Sequence, residues 1–363
     1  MLRALQLATC CAALRPSIRK HASTVVRGTT TTDATVAPVD LAELLSACVD
    51  ACERGCAEIR RVAESGVTEV DYKIAGDSRS ALTAADLASQ RAVVDGLRDA
   101  WPGLRIVGEE DGATAAADGA RASAPLRRDR CDGLRAYAAI ASEERRDAMA
   151  APLAAVTVFV DPLDGTREFV EGRLENVQCL VGVAVDGRAV AGAIGLPFGG
   201  EARDAVVVYG LVGAGIATTA ARPLAARAST ARPIVAAGDT DDATLRKAYA
   251  AARGPDGENV LVGGTGTKIL AVVDGVADVA VMNFKSSSWD TCAPEAVLRA
   301  AGGRLTDIFG EPIAHVPDPP APASYSNALG AVATGPGFAT AHGRVREVML
   351  LDEDALARRA ALR

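Results

Sequence analysis

From Leu41 to Val62 apolar residues return every three or four positions: Leu41, Leu44, Leu45, Cys48, Val49, Cys52, Cys56, Ile59 and Val62. That spacing predicts one long amphipathic helix. A second helix is predicted from about Ala84 to Ala100, stopped by Pro102. Arg105-Ile106-Val107 reads as a short strand that ends at Gly108-Glu109-Glu110-Asp111. Val156 to Val160 is apolar and β-branched on both parities, the pattern of a strand buried on both faces. It runs straight into Asp161-Pro162-Leu163-Asp164-Gly165-Thr166. Strands follow near 177–185 and 189–196, joined by the hairpin signal Asp186-Gly187, and another near 205–209.

Beyond residue 200 the rhythm changes to strand 234–237, helix 242–252, strand 260–262, helix 267–273, strand 277–282, helix 293–301 and strand 304–307. This alternation predicts a second, α/β half. The expected organisation is an extension over 1–39, an N-terminal α+β half over 40–199, a C-terminal α/β half over 200–350 and a tail over 351–363. Residues 112–150, rich in Ala and Arg without a sustained period, read as a loop or helical insertion within the first half.

Composition narrows the chemistry. At 363 residues and 49% hydrophobic the chain can bury a large core, but with only 4% aromatics Ala, Val and Leu must build it. A net charge of −7 argues against nucleic-acid polymers and anionic membranes as partners. A small anionic substrate stays compatible, because bound cations invert the local sign. None of the 8 cysteines forms a C-x-x-C pair, so neither a zinc ribbon nor a dithiol redox site is expected; Cys48, Cys52 and Cys56 read as small buried hydrophobes of a reduced compartment. The 3 histidines, His21, His315 and His342, lie away from the acidic clusters, which argues against a Ser-His-Asp hydrolase, a histidine phosphatase or a histidine-ligated zinc enzyme. Residues 1–39 hold Arg3, Arg15, Arg19, Lys20 and Arg27 against the single acid Asp33, the composition of a transit peptide. A mitochondrial or plastid location after its removal is expected, with a disordered extension on a cytoplasmic protein, or a secretory signal, as alternatives. Leu5 to Leu14 is too short to span a bilayer.

The chemistry must therefore rest on carboxylates, hydroxyls and the metals they bind. Glu109, Glu110 and Asp111 follow one strand, Asp161 and Asp164 another, and Asp290 opens a helix after Trp289. Strand ends are where α/β sheets collect ligands. Several carboxylates brought together repel unless a cation sits among them, and an all-oxygen set selects Mg²⁺, Ca²⁺ or Mn²⁺ over zinc. In the 161–166 run, Pro162 stiffens the turn, the Leu163 carbonyl is a further oxygen, Gly165 admits close approach of a phosphate, and Thr166 stands where a helix begins and its free N–H groups bind anions. Singly, each motif also fits an ordinary acidic turn or helix cap.

Taken together, Gly108-Glu109-Glu110-Asp111, the Asp161–Thr166 run, and Trp289-Asp290 followed by Gly302-Gly303 resemble, in order and spacing, the three signatures of the inositol monophosphatase superfamily over about residues 41–350. Asp161 to Pro197, Trp289 to Glu295 with Gly302 to Asp307, and Val262 to Lys268 are similar to its 3′(2′),5′-bisphosphate nucleotidase branch. The resemblance implies an α+β and α/β chain layered as an αβαβα sandwich, with two or three Mg²⁺ held by Glu109, Asp161, the Leu163 carbonyl, Asp164 and Asp290. It further implies Asp86 and Thr166 as the pair acting on the attacking water, Gly165 and Thr166 on the phosphate, Gly264 and Lys268 on a nucleotide, and Glu110 at a water or third metal.

The implied activity is lithium-sensitive removal of the 3′-phosphate from 3′-phosphoadenosine 5′-phosphate, and from its 5′-phosphosulfate counterpart. The branch's Ser-His pair is missing from Val235–Asp241, and Ser80 stands where relatives often have an acidic or small residue. An inositol polyphosphate 1-phosphatase or inositol monophosphatase therefore stays open, as does a catalytically silent metal- or nucleotide-binding protein.

Overall fold

The computed structural model describes residues 38–66, 70–72, 81–110, 124–140, 149–200, 205–220, 232–239, 242–319 and 325–362. The transit-peptide reading, Ser80 and Asp111 lie outside these residues, as do Thr240 and Asp241 of the segment lacking the Ser-His pair.

Two helices open the fold. α1 (Leu41–Ser65) starts where the Asp40 carboxylate accepts the N–H groups of Ala42 and Glu43, each at 2.9 Å, and ends at Gly66, whose φ of 68° suits the absent side chain. α2 (Ala84–Ala100) is capped by Thr83 and Asp86 in a capping box and packs along α1. Their apolar faces cover one side of a six-stranded sheet built from β1 (Arg105–Gly108), β2 (Val156–Asp164), β3 (Gln178–Val185), β4 (Arg188–Leu196), β5 (Val206–Leu211) and β6 (Gly215–Thr218), in the order β6-β5-β4-β3-β2-β1. Only β1 and β2 are parallel. The described part of the 112–150 segment is not a mere appendage. Leu126 and Cys131 enter the core ahead of α3 (Asp132–Ile140), and Arg127, Arg128 and Arg130 pair with Asp50, Glu43 and Glu53 of α1.

α4 (Thr166–Val170) follows β2 within the first half, and the second half holds β7 (Ile234–Ala237), α5 (Ala243–Arg253), β8 (Glu258–Leu261), α6 (Thr265–Val273), β9 (Val279–Met282), α7 (Ser288–Ala300), β10 (Arg304–Thr306), β11 (Ala331–Thr334), α8 (Ala339–Met349) and α9 (Glu353–Ala361). Its sheet runs β8-β7-β9-β11-β10. One shared core of Leu180, Ile194, Ile269, Val297 and Ala280 puts α6 and α7 between the two sheets, and Leu245, Tyr249, Val345 and Met349 fix α5 and α8 on the far side. The layers are α1 and α2, sheet, α6 and α7, sheet, α5 and α8, the αβαβα sandwich expected from the resemblance.

Four elements differ from the periodicity reading. β2 runs on to Asp164, because its ladder continues past Asp161 with a shift. α7 starts at Ser288 rather than Ala293, since Pro294 lies inside it and removes only one helical donor. β6 was not foreseen in the glycine-rich stretch after 209. Residues 353–361 form a helix capped by Asp352 where a tail was expected. Two glycines fix the depth at which α7 sits. A Cβ at Gly182 would lie 2.5 Å from Ala293 N, and one at Gly192 would lie 2.4 Å from Ala293 O. The helix backbone therefore rests directly on β3 and β4.

Candidate active site

The acids come together through a defect in one strand. Along a regular strand side chains alternate, so residues three apart point to opposite faces. Asp161 pairs with Leu180 and Asp164 with Gln178, so three steps on β2 are matched by two on β3. This one-residue bulge turns Asp164 onto the face of Asp161. Pro162, which has no N–H to leave unpaired, sits inside it, and Leu163 N–H donates to Asp161 Oδ1 at 3.0 Å, closing the turn. From the other half, α7 brings Asp290 at its third position. Its carboxylate accepts Ser287 N–H in a capping box, and Asn327 Nδ2 ties Ser287 O and Thr291 Oγ1 together at 3.1 Å each.

Carboxylate oxygens of Asp161, Asp164 and Asp290 all lie within 4.8 Å of one another. Asp161 and Asp164 are buried and Asp290 is half-buried. Burial, then the charges of Glu109, Asp290 and Asp164, push the Asp161 pKa well up. Burial and the Asp164 and Glu109 charges raise Asp290 to about 8. Burial raises Asp164 as well, but only to about 6, because Gly266 N–H at 2.8 Å, the Lys268 ammonium and Thr265 N–H at 3.3 Å favour its charged form. A divalent cation fits this set. The donors are hard oxygens, a small inward shift brings them within the roughly 4 Å that separates ligands held at about 2.1 Å from one metal, and a cation removes the repulsion that otherwise protonates them. Glu109 and the Leu163 carbonyl line the same cleft, but the Glu109 carboxylate is not part of the tight trio. Glu110 is buried and does not line the cleft.

Beside the trio, α4 begins after Gly165, whose φ is 87° and whose Cβ would sit 2.7 Å from Asn176 O. Thr166 Oγ1 lies 3.1 Å from Asp86 Oδ1 and 3.1 Å from Leu163 O, so its single proton goes to one of the two. Asp86 is 1% exposed, and its other oxygen accepts Thr83 N–H at 2.7 Å and Thr83 Oγ1–H at 2.6 Å. Burial raises it to about 7 despite those donors, with Glu109 and Glu110 adding to the rise. A hydroxyl backed by a carboxyl group that titrates near neutrality can orient a water and pass on its proton.

The cleft, about 600 Å³, extends from the acids to the N-terminus of α6. The glycines there are a packing requirement. A Cβ on Gly263 would meet the Glu168 carboxyl at 2.6 Å, and one on Gly266 would meet Gln178 Oε1 at 2.3 Å and Asp164 Oδ2 at 2.9 Å. Gly264 lines the cleft, and Lys268 Nζ donates to Gly264 O at 2.8 Å. Burial lowers the Lys268 pKa, against the pull of Asp164, Asp239 and Glu168. Sequence reasoning missed Glu168, Arg173 and the bridge between halves. Arg173 holds Glu168 at 2.6 and 3.0 Å, and Arg167 reaches Asp239 at 2.7 Å, beside Gly238 where no Ser-His pair stands. Only the charge alternation of Arg167, Glu168, Glu171 and Arg173 hinted at it.

Sequence and structure comparisons agree with one another. The profile of the inositol monophosphatase family matches residues 40–345. The chain is 34% identical over 242 residues to 3′(2′),5′-bisphosphate nucleotidase 1 of Rattus norvegicus, covering 64% of this chain and 72% of that protein. To the Homo sapiens protein of the same name it is 32% identical over 287 residues, covering 76% and 85%. The crystal structure of inositol monophosphatase II from Staphylococcus aureus superposes with a TM-score of 0.58 at 17% identity, over 87% of this chain and 96% of that one, which establishes a shared fold.

Proposed function

This chain belongs to the inositol monophosphatase family and is a phosphomonoester hydrolase; from that premise we propose that it removes the 3′-phosphate of 3′-phosphoadenosine 5′-phosphate, giving AMP and phosphate, with Mg²⁺ as cofactor. The related 5′-phosphosulfate is a second substrate of the same kind. The observation that carries the proposal is the meeting of Asp161, Asp164 and Asp290 within 4.8 Å of one another, in a cleft that also takes Thr166.

Glu109, Asp161, the Leu163 carbonyl, Asp164 and Asp290 would hold two or three Mg²⁺, and Glu110, buried and outside the cleft lining, would bear on them only through a water. Bound there, Mg²⁺ supplies Lewis-acid polarisation of the phosphoryl group and acidifies water. The chain's own groups do the rest. Thr166 Oγ1 orients the attacking water and relays its proton to Asp86, which is poised near neutrality to take it. Backbone N–H groups at Gly165 and Thr166 hold the phosphoryl oxygens in line. Gly264 lets the substrate approach the backbone, and Lys268 stabilises Asp164 and the anionic substrate from one position.

Leu261, 74% exposed at the rim with Val262 beside it, supports a nucleotide. An apolar edge is covered by a nucleobase and is of no use to a polyol. The Asp239–Arg167 pair beside Gly238 favours the second reading, an inositol phosphate phosphatase, because it occupies the place that a nucleotide-holding Ser-His pair has in the nucleotidase branch.

Phosphate release from 3′-phosphoadenosine 5′-phosphate, inositol 1,4-bisphosphate and inositol 1-phosphate, with Mg²⁺ and with EDTA, separates the two. Preference for either inositol phosphate would overturn the nucleotide assignment, and inertness toward all three would leave a silent binding protein. For location, we propose a mitochondrial or plastid protein on the composition of residues 1–39, with the cytoplasm as the alternative. A fluorescent protein fused to that segment and staying cytosolic would reject import.

A further inference from the structure

Four cationic side chains line the cleft: Arg167, Arg173, Lys268 and Lys285. Three have their charge engaged by the chain itself. Arg167 bridges Glu171 at 3.0 Å and Asp239 at 2.7 Å. Arg173 clasps Glu168 with two hydrogen bonds and also reaches Glu171. Lys268 is half-buried, donates to Gly264 O at 2.8 Å and faces Asp164. Lys285 differs: it is exposed, and among the described residues its ammonium pairs with no carboxylate. An unpaired ammonium at the wall of an otherwise compensated cleft is the group free to meet an added anion.

Its backbone, in contrast, is anchored. Lys285 N–H donates to Asn283 Oδ1 at 3.0 Å, the neighbouring Phe284 ring lies under the Arg358 guanidinium at 4.1 Å, and Ser286 is buried with its carbonyl accepting Asn327 N–H at 2.7 Å. A flexible donor on a fixed turn, five residues ahead of Asp290, can move its ammonium without moving the acids.

We propose that Lys285 is the specificity residue for the second, non-reacting phosphate of a bisphosphorylated substrate. This rests on the phosphatase reading above but not on its choice of scaffold. The reacting phosphate goes to the acidic end, where charge comes from bound cations. The second phosphate needs a cation supplied by the protein, and Arg167 and Arg173 would first have to give up carboxylate partners.

The test compares KM for 3′-phosphoadenosine 5′-phosphate with KM for adenosine 3′-monophosphate, in the parent enzyme and in Lys285→Gln, Lys285→Glu and Lys285→Arg. The expected result is a bisphosphate-to-monophosphate KM ratio raised about tenfold or more in Lys285→Gln and further in Lys285→Glu, largely restored in Lys285→Arg, with kcat on the bisphosphate within about twofold. An unchanged ratio, or a KM that rises equally for both substrates, overturns the assignment. If the parent enzyme takes inositol 1,4-bisphosphate instead of the nucleotide, the nucleotide reading fails on its own. The same ratio is then measured with inositol 1,4-bisphosphate against inositol 1-phosphate, and the same outcomes decide for or against Lys285. A parent enzyme with no preference for any bisphosphate over its monophosphate would also overturn it.

Discussion

Replacing Asp161 by Asn separates the two effects of this carboxylate, because the exchange keeps shape and removes charge. The amide oxygen can still accept Leu163 N–H, now at 3.0 Å, so the bulge is retained. What disappears is one of three negative groups whose oxygens lie within 4.8 Å of each other. At that separation and an effective dielectric of about 20, each ionised pair costs about 3 kcal/mol. Protonation relieves part of this in the metal-free protein, since Asp290 is pushed up to about 8. The expected gain in metal-free stability at pH 8 is therefore about 1–3 kcal/mol, which for a chain of this size raises Tm by about 1–4 °C. Thermal unfolding in EDTA measures it. The same variant should lose most of the stabilisation that millimolar Mg²⁺ gives the parent, and its phosphate release should fall by about 10³-fold or more. Turnover within tenfold of the parent on a folded variant would refute the assignment of Asp161 to the metals. A metal-free variant less stable than the parent would refute the argument that the acids repel.

Three further outcomes are expected. Thr166→Val removes the hydroxyl that reaches Asp86 at 3.1 Å; kcat should fall about 10²- to 10⁴-fold with KM little changed, and an unaltered kcat would exclude this pair as the proton path. Asp164 and Asp290, raised to about 6 and about 8, keep protons in the metal-free fold that the unfolded chain releases near pH 4, so metal-free stability is present at low pH and is lost as pH climbs from about 4 to 8. The Tm gain on adding Mg²⁺ should accordingly be larger at pH 8 than at pH 5.5, and a gain independent of pH would contradict the proton count. Gly266→Ala places a Cβ 2.9 Å from Asp164 Oδ2 and 2.3 Å from Gln178 Oε1; titration of Tm against Mg²⁺ should show weaker metal binding together with about 1–3 kcal/mol of lost stability, and a parent-like titration would show that the cleft yields there.

What could be read from the chain was whatever obeys a local period or sits at a strand end. α1 and α2 followed from 3.6-residue spacing and their caps, and the acids at the ends of β1 and β2 pointed to one crevice. The bulge was not legible, since nothing in Asp161-Pro162-Leu163-Asp164 says that β3 advances by two residues while β2 advances by three. The start of α7 was hidden by Pro294, and the capping box of Ser287 and Asp290 outweighed that signal. The Arg167–Asp239 pair depends on how distant segments meet, which no window of sequence contains, and the Arg173–Glu168 pair, five residues apart, depends on the turn that follows α4. Asp86 was named by the resemblance alone, since nothing in the spacing of Ala84–Ala100 marks it as buried, and only the fold shows it 1% exposed and within reach of Thr166 at the start of α4.

The bare contact of α7 with Gly182 and Gly192 has a consequence for how such a catalyst tolerates change. The gap between a carboxylate carried by a strand and one carried by a helix is set there by main chain touching main chain. Exchanges among the surrounding Val, Leu and Ala side chains can therefore drift without altering the spacing of the acids, which insulates the chemistry from ordinary turnover in the interior. The converse is a narrow point of vulnerability. One added methyl at either glycine, remote from any reacting atom, would act as a spacer that lifts Asp290 off its two counterparts and detunes the enzyme from a distance.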